Sequence, residues 1–270
     1  MPDVQRDFSG SMPEYYDKCL GPAWFDPFAL DLSQRLPGNP EGGVLEIACG
    51  TGLVTRRLRK RLDQSCRLVA TDISKAMIDY ARQSLADVER IEWREADATS
   101  LPYSKSEFGA VVCAFGLMFV PDKEAALREV RRVLKHDGIF LFNVWDRIEE
   151  NAHAVALARA IEQLFPNDSE MKYGIPYEMS DPEMLRDLMI AGGFDQVHIE
   201  KKRIEVGRIS ALTIATGQIH GTPRSVLIEK RGVSLADAVE KVAAELTQIG
   251  GADRYRGSAQ AFVVTARAAA

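Results

Sequence analysis

Val44-Leu45-Glu46-Ile47-Ala48-Cys49-Gly50-Thr51-Gly52 is a short apolar run that ends in a glycine turn, with a helical pattern directly after it. Glycines in such a turn let the backbone approach a ligand where a Cβ would collide. About twenty residues past Gly52, the run Val69-Ala70-Thr71 ends in Asp72, an acid placed to hold both hydroxyls of a ribose. Asp72 also suits a helix N-cap, although Ser74 can fill that role. A third apolar run closes on Glu95-Ala96-Asp97-Ala98. All three sites lie where a strand is expected to end, and open α/β sheets bind their ligands outside the carboxyl ends of the strands.

The turn narrows the ligand. A dinucleotide fingerprint would place a third glycine where Thr55 stands, and a phosphate-binding P-loop would end in Gly-Lys-Ser/Thr, which is absent. No lysine stands ready to meet phosphates, and the acid Glu46 lies just before the turn. A ligand with a ribose, an adenine and a cationic centre suits these residues better than a pyrophosphate does.

The elements that must position them alternate. Short apolar runs at Val44–Ala48, Arg67–Thr71, Ile91–Glu95, Ala110–Ala114 and Ile139–Val144 read as buried strands. Between them, Leu53–Leu62, Lys75–Leu85 and Lys123–Leu134 read as helices, the last with Ala126, Val130, Val133 and Leu134 on one apolar face. Asp137-Gly138 breaks that helix before the next strand. Strand–helix alternation predicts a parallel sheet with helices on both faces. Past Trp145 the rhythm changes: residues 151–165 are Ala-rich and helical, and Ser180 or Asp181 caps a helix reaching Ile190. Val197–Val206 is a strand, 208–250 is mostly helical, and Ala261–Arg267 is a final strand. Two insertions therefore interrupt the core, one after residue 145 and one between the last two strands.

Bulk properties set outer limits. The 270 residues are 46% hydrophobic and 27% charged, an ordinary globular mixture. A formal net charge of -5 disfavours nucleic acid or an anionic membrane as partner. The basic run Arg56, Arg57, Arg59, Lys60 and Arg61 is expected to be a solvated helix face. The four cysteines, Cys19, Cys49, Cys66 and Cys113, are scattered, with no metal-binding spacing, and Cys49 and Cys113 read as small buried residues. Neither a signal peptide nor an apolar stretch of membrane-spanning length is visible, so a reduced, cytoplasmic protein is expected.

Taken in order, Glu46-x-Ala48-x-Gly50-Thr51-Gly52, Asp72-Ile73-Ser74 with Met77, and Asp97-Ala98 resemble the class I S-adenosylmethionine (SAM)-dependent methyltransferases. Phe115-Gly116-Leu117-Met118-Phe119-Val120-Pro121-Asp122 and Arg132-Val133-Leu134-Lys135-His136-Asp137-Gly138 extend the likeness. It is strongest to the group around the ubiquinone/menaquinone-biosynthesis methyltransferases and spans residues 10–145. The resemblance implies a Rossmann-like, doubly wound α/β sheet of seven strands in the order 3-2-1-4-5-7-6, the last antiparallel, with helical cap insertions. It divides the chain into an N-terminal helical lid (1–43), a SAM-binding core (44–145), a cap insertion (146–180), a core helix and strand (181–206), a second helical insertion (207–258) and a final core strand (259–270).

It also implies roles. The turn from Ala48 to Gly52 cradles the methionine part of SAM, and Asp72 grips the ribose. Ile73 and Met77 pack on the adenine, Asp97 accepts from its amino group, and the Ala98 backbone meets the ring. Phe115 and Gly116 border the sulfonium and the acceptor. Tyr16, in the segment Pro13–Asp17, corresponds to a lid tyrosine, while Trp24 and Phe25 read as packing residues. Ala48 stands where many members have glycine.

Methyl transfer is an in-line displacement that leaves S-adenosylhomocysteine, and it needs orientation more than a universal catalytic residue. If the acceptor arrives protonated, the candidate bases are His153, His220, Tyr173 and Tyr177, all in the two insertions; Phe119 and Trp145 are candidates to line an apolar pocket. The loop Ala114-Phe115-Gly116-Leu117 lacks the Asn/Asp-Pro-Pro-Tyr pattern of nucleic-acid amino-methyltransferases, and no paired-glutamate hairpin of protein arginine methylation is present. A small, partly apolar acceptor remains, on a monomer or homodimer. The competing classes are a non-catalytic SAM-binding or interaction module and an NAD-dependent oxidoreductase. Asp72→Ala is expected to weaken SAM binding in a calorimetric titration; unchanged affinity with an intact fold would overturn the ribose assignment.

Overall fold

The computed structural model describes residues 8–172, 174–206 and 209–268. The chain begins with α1 (Met12–Tyr15), a π-helical run Tyr16–Phe25 and α2 (Asp26–Arg35). The core follows as β1 (Val44–Glu46), α3 (Leu53–Arg61), β2 (Leu68–Asp72), α4 (Lys75–Ser84), β3 (Glu92–Glu95), β4 (Phe108–Ala114), α5 (Lys123–Val133) and β5 (Leu134–Trp145). Then come α6 (Ala152–Leu164), α7 (Pro182–Ala191), β6 (Phe194–Val206), α8 (Ala211–His220), α9 (Arg224–Lys230), α10 (Leu235–Gly250) and β7 (Gly257–Ala268). The seven strands form one sheet in the order β3-β2-β1-β4-β5-β7-β6. β1 to β5 pair in parallel, and β7 lies antiparallel to β5, with Ile139 opposite Arg267 and Trp145 opposite Ala261. This is the expected fold class.

Local chemistry accounts for the element starts. Ser74 Oγ accepts the Met77 N–H at the head of α4, and Asp122 Oδ1 accepts the Ala125 N–H at the head of α5. Asp181, rather than Ser180, caps α7, with Pro182 at its first position. Ser210 and Ser234 do the same for α8 and α10. The π-helical run ends with the Asp26 N–H bonded to the Gly21 carbonyl, five residues back, and carries Pro22 inside it. A proline lacks the N–H that a regular α-helical ladder needs.

Three expectations fail. α5 ends at Val133 and β5 begins at Leu134, so Asp137-Gly138 lies within the strand rather than breaking the helix ahead of it. β3 is no buried strand: Glu92, Arg94 and Glu95 are exposed, and only Trp93 and the preceding Ile91 pack inward, against Cys49, Ala70 and Ile78. β3 is an edge of the sheet, and charged side chains there discourage further strand pairing. The basic run on α3 is no uniformly solvated face either. Arg59 is only 3% exposed; its Nη1 donates to the carbonyls of Cys66 (2.9 Å) and Arg90 (3.2 Å), and its Nη2 to those of Leu62 (3.0 Å) and Asp63. The guanidinium thereby closes the loop from α3 to β2 and ties it to the connection before β3, satisfying carbonyls that have no ladder of their own. All four cysteines are buried thiols.

The chain divides into two compact units. One comprises residues up to Phe28, Arg147–Gly174 and Arg203–Gln260, and is mainly helical; α10 packs on α6 and α8, and α8 on the π-helical run. Within it, Asn151 exchanges two hydrogen bonds with the Gln260 backbone, tying the start of α6 to β7. The other comprises Ala29–Asp146, Ile175–Lys202 and Ala261–Ala270 and holds the sheet core with α3, α4, α5 and α7. Among the described residues no helix is long and apolar enough to cross a membrane.

Arg59→Met keeps the aliphatic stem and strands four carbonyls. It is expected to cost about 2–4 kcal/mol in urea unfolding, against a change within about 0.5 kcal/mol for Lys60→Met on the same helix.

Candidate active site

The carboxyl ends of β1, β2 and β4 meet inside the sheet unit. After Glu46 the chain leaves β1 with the Ile47 N–H bonded to the Val112 carbonyl and the Cys49 N–H to that of Thr71, each at 2.9 Å. The turn then enters the left-handed region at Ala48 (φ 51°), Gly50 (φ 53°) and Gly52 (φ 84°). The two glycines serve different ends. A Cβ on Gly50 would meet nothing within 4 Å, so one side of this turn is open space. A Cβ on Gly52 would lie 2.9 Å from Leu85 Cδ1 and 3.3 Å from Ala81 Cβ, so Gly52 lets the turn pack against α4.

Asp72, the last residue of β2, anchors that turn. Its Oδ2 accepts the Gly50 N–H at 2.8 Å and its Oδ1 accepts the Ser74 N–H at 2.9 Å. It is therefore no N-cap of α4, a role that Ser74 fills. Burial pushes the Asp72 carboxyl upward, offset in part by the backbone N–H groups of Ser74, Gly50 and Ile73. Each carboxylate oxygen retains a lone pair for a further donor. Glu46 is buried beside it and accepts the Thr55 hydroxyl at 2.6 Å. Burial first, with the neighbouring Asp72 charge adding to it against the Thr55 hydrogen bond, raises Glu46 to about 8. Thr55 thus has a purpose that its sequence position did not reveal: a hydroxyl on the first turn of α3 that satisfies an acid at the end of β1.

The remaining expected residues divide between the two units. In the sheet unit, Ile73 is 65% exposed, Met77 is buried, and Ala98 is half-buried. Asp97 is exposed and its Oδ1 accepts both the N–H and the hydroxyl of Thr99, at 2.8 Å each. Phe115 is buried with φ 53°, and its ring stacks on Trp145 with centroids 4.2 Å apart. A Cβ on Gly116 would fall 2.3 Å from Ala48 Cβ, so the turns after β1 and β4 touch. The short helical turn Leu117–Phe119 packs against the turn Ile175–Tyr177, which brings half-buried Tyr177 to the same unit and the same loop.

Tyr16, His153 and His220 belong to the helical unit. Tyr16 stacks on Phe25 (4.6 Å) and His220 on Tyr15 (4.9 Å). His153 lies buried face to face with Trp24 at 3.9 Å, and its carbonyl accepts Gln218 Nε2 at 3.1 Å. Burial lowers His153 to about 3, so it stays neutral at physiological pH and is a poor proton acceptor. Tyr173 lies outside the described residues. No group of three or more His, Cys, Asp or Glu with metal-binding geometry occurs among the described residues.

Residues 44–138 match the family model described as a methyltransferase domain. The chain is 33% identical over 183 residues to the ubiquinone/menaquinone biosynthesis C-methyltransferase of Pseudomonas fluorescens, covering 63% of this chain and 70% of that protein. Among solved structures, it is similar to phosphoethanolamine N-methyltransferase 2 of Haemonchus contortus in complex with phosphomonomethylethanolamine and S-adenosylhomocysteine. That likeness has a TM-score of 0.63 at 14% identity, over 99% of this chain and 60% of that one. It is also similar to the YcgJ protein of Bacillus subtilis, with a TM-score of 0.58 at 17% identity, over 90% and 99%.

The raised Glu46 carboxyl makes stability depend on pH in a defined window. Below pH 4.5 it is protonated folded and unfolded alike; between 4.5 and about 8 the unfolded chain releases the proton that the folded chain keeps, so stability is lost as pH rises. Glu46→Gln removes that loss. Its gain in ligand-free stability over wild type is expected to grow by about 1.4 kcal/mol per pH unit across the window. A pH-independent difference in chemical unfolding would show that Glu46 does not hold the proton.

Proposed function

Since this chain belongs to the class I SAM-dependent methyltransferases, we propose that it methylates a small, partly apolar metabolite at an electron-rich carbon. SAM, its cofactor, supplies when bound a methyl group on a sulfonium, whose sulfur leaves without help from a protein nucleophile. The residues at the carboxyl edge fit such a group. The open side of Gly50 gives room for the methionine part along Ala48–Gly52, and no lysine competes with the cation there. The spare lone pairs of Asp72 suit the ribose hydroxyls, while exposed Ile73 and buried Met77 offer apolar surface to the adenine. Asp97 and the Ala98 backbone suit its polar edge, although Asp97 must share an oxygen already bonded to Thr99 or use its other one. Glu46 acts through Thr55 and Asp72 rather than by ligand contact.

On the acceptor side, Phe115 and Gly116 form a wall backed by Trp145. An aromatic pair of this kind favours a flat, apolar acceptor and excludes water from the path of the methyl group. Fixing nucleophile, methyl and sulfur in line can supply roughly 7–11 kcal/mol of the barrier reduction, so the backbone turns do the principal work. Tyr177 is the candidate to hydrogen-bond the hydroxyl of a phenol-like acceptor, because its turn packs on the loop that carries the wall; as the methyl–sulfur bond breaks and the methyl–carbon bond forms, the acceptor carbon is left to give up its own proton to solvent. His153 is set aside by its burial.

The observation that carries the choice of carbon is the 33% identity to a protein named as a C-methyltransferase of quinone biosynthesis. The test is incubation with methyl-tritiated SAM and a panel of quinol precursors, catechols, amines and phosphoethanolamine. We expect a non-exchangeable carbon-bound label in a quinol-like acceptor, with one S-adenosylhomocysteine released per methyl. Label confined to oxygen or nitrogen products would overturn the carbon assignment. Tight SAM binding without transfer to any acceptor would favour a non-catalytic module.

A further inference from the structure

Asn143 is fully buried near the end of β5, in the apolar run Phe140, Leu141, Phe142, Val144 and Trp145. A polar amide in such a place needs a hydrogen-bonded reason to be there. Its main-chain oxygen and its side-chain Oδ1 both accept the Phe115 N–H, at 3.1 and 3.0 Å. Its Nδ2 has no hydrogen-bond partner among the described residues. For packing alone, an apolar side chain would serve better, since it removes that orphaned donor. The acceptor oxygen is therefore the useful half of the side chain.

What it holds is a strained residue. Phe115 sits at φ 53°, a left-handed conformation that an aromatic side chain adopts only when its surroundings impose it. The kink directs Gly116 onto Ala48, where the closest approach leaves no space for a Cβ, and Ala48 is itself left-handed. The Phe115 ring stacks on Trp145, two residues beyond Asn143 on the same strand and thus on the same face of the sheet. Asn143, Phe115, Gly116 and Ala48 form an unbroken chain of contacts from the interior of the sheet to the glycine turn.

We infer that Asn143 is a positioning residue of the methyl-transfer site, whose amide oxygen holds Phe115 in the kink that presses Gly116 onto Ala48 and so fixes the cofactor turn and the acceptor wall as one piece. This rests on the assignment of Ala48–Gly52 and Phe115–Gly116 to SAM proposed above. Asn143 touches no reacting atom; it acts through Phe115.

The test is a double-mutant cycle read by calorimetric titration with SAM, alongside thermal unfolding. Asn143→Leu keeps the branch at Cγ in a bulkier side chain and loses the side-chain acceptor, leaving only the main-chain oxygen of residue 143 to take the Phe115 N–H. It is expected to bind SAM about tenfold more weakly while unfolding at a temperature close to that of wild type. Glycine adopts positive φ without assistance, so in a Phe115→Gly background the same leucine substitution is expected to change SAM affinity less than twofold. Wild-type affinity in N143L, or an undiminished tenfold loss in the F115G background, would overturn the inference while leaving the SAM site standing. Failure of the wild-type protein to bind SAM would overturn the site assignment and this inference together. If N143L does not fold, Asn143→Ser, too short to reach Phe115, replaces it in the same cycle and is judged by the same outcomes.

Discussion

One carboxylate ties the strand ends together. Asp72 takes the Gly50 N–H with one oxygen and the Ser74 N–H with the other, so the turn after β1 and the start of α4 are both referenced to the end of β2. In water these N–H groups would find other partners; here they meet a carboxylate that is itself only 8% exposed. The same burial sets the electrostatics of the edge. Burial pushes both carboxyls upward, and at Glu46 the neighbouring Asp72 charge adds to it, so that Glu46 keeps its proton through neutral pH. Ligand donors that reach Asp72, such as ribose hydroxyls, would favour its ionised form and repay part of that desolvation.

The site is built from backbone more than from reactive side chains. Left-handed residues at Ala48, Gly50, Gly52 and Phe115 turn the chain sharply where β1 and β4 end. Each turn is held from a different direction: by Asp72 from β2, by Asn143 from β5, and by the Ala48–Gly116 contact between them. Rigidity of this kind is what an in-line displacement asks of a protein, since a misplacement of about 1 Å is enough to cost roughly a hundredfold in rate. A dedicated base becomes secondary.

The helical unit spends its buried polar groups on structure. His153 stacks on Trp24 and is tied to Gln218, and Asn151 copies a strand partner for Gln260. Gly217 permits the π-helical run to pack on α8, because a Cβ there would fall 2.6 Å from both Cys19 Cβ and Leu20 Cδ2. The irregular run with Pro22 is thus compensated by close packing against a regular helix.

Local patterns were enough for much of this. The apolar run entering Gly50-Thr51-Gly52, the acid closing the next run at Asp72 and the alternation of periods predict the nucleotide-binding half and its parallel sheet. The wider likeness predicts the order of all seven strands. These features depend on neighbours within a few residues or on motif order, both visible in a linear chain. Tertiary structure alone decided that Arg59 is buried, that β3 is an exposed edge, that Thr55 serves Glu46, and that Asn143 holds Phe115. In each case the partner arrives through a crossover or across the sheet, joining residues such as 115 and 143 that share no periodicity. The same side-chain types would read as surface charge, helix filler or strand interior wherever such a partner was missing. Chemistry and spacing along the chain therefore determined which residues face the strand ends, while three-dimensional closure determined which of them bear strain and what holds them in place.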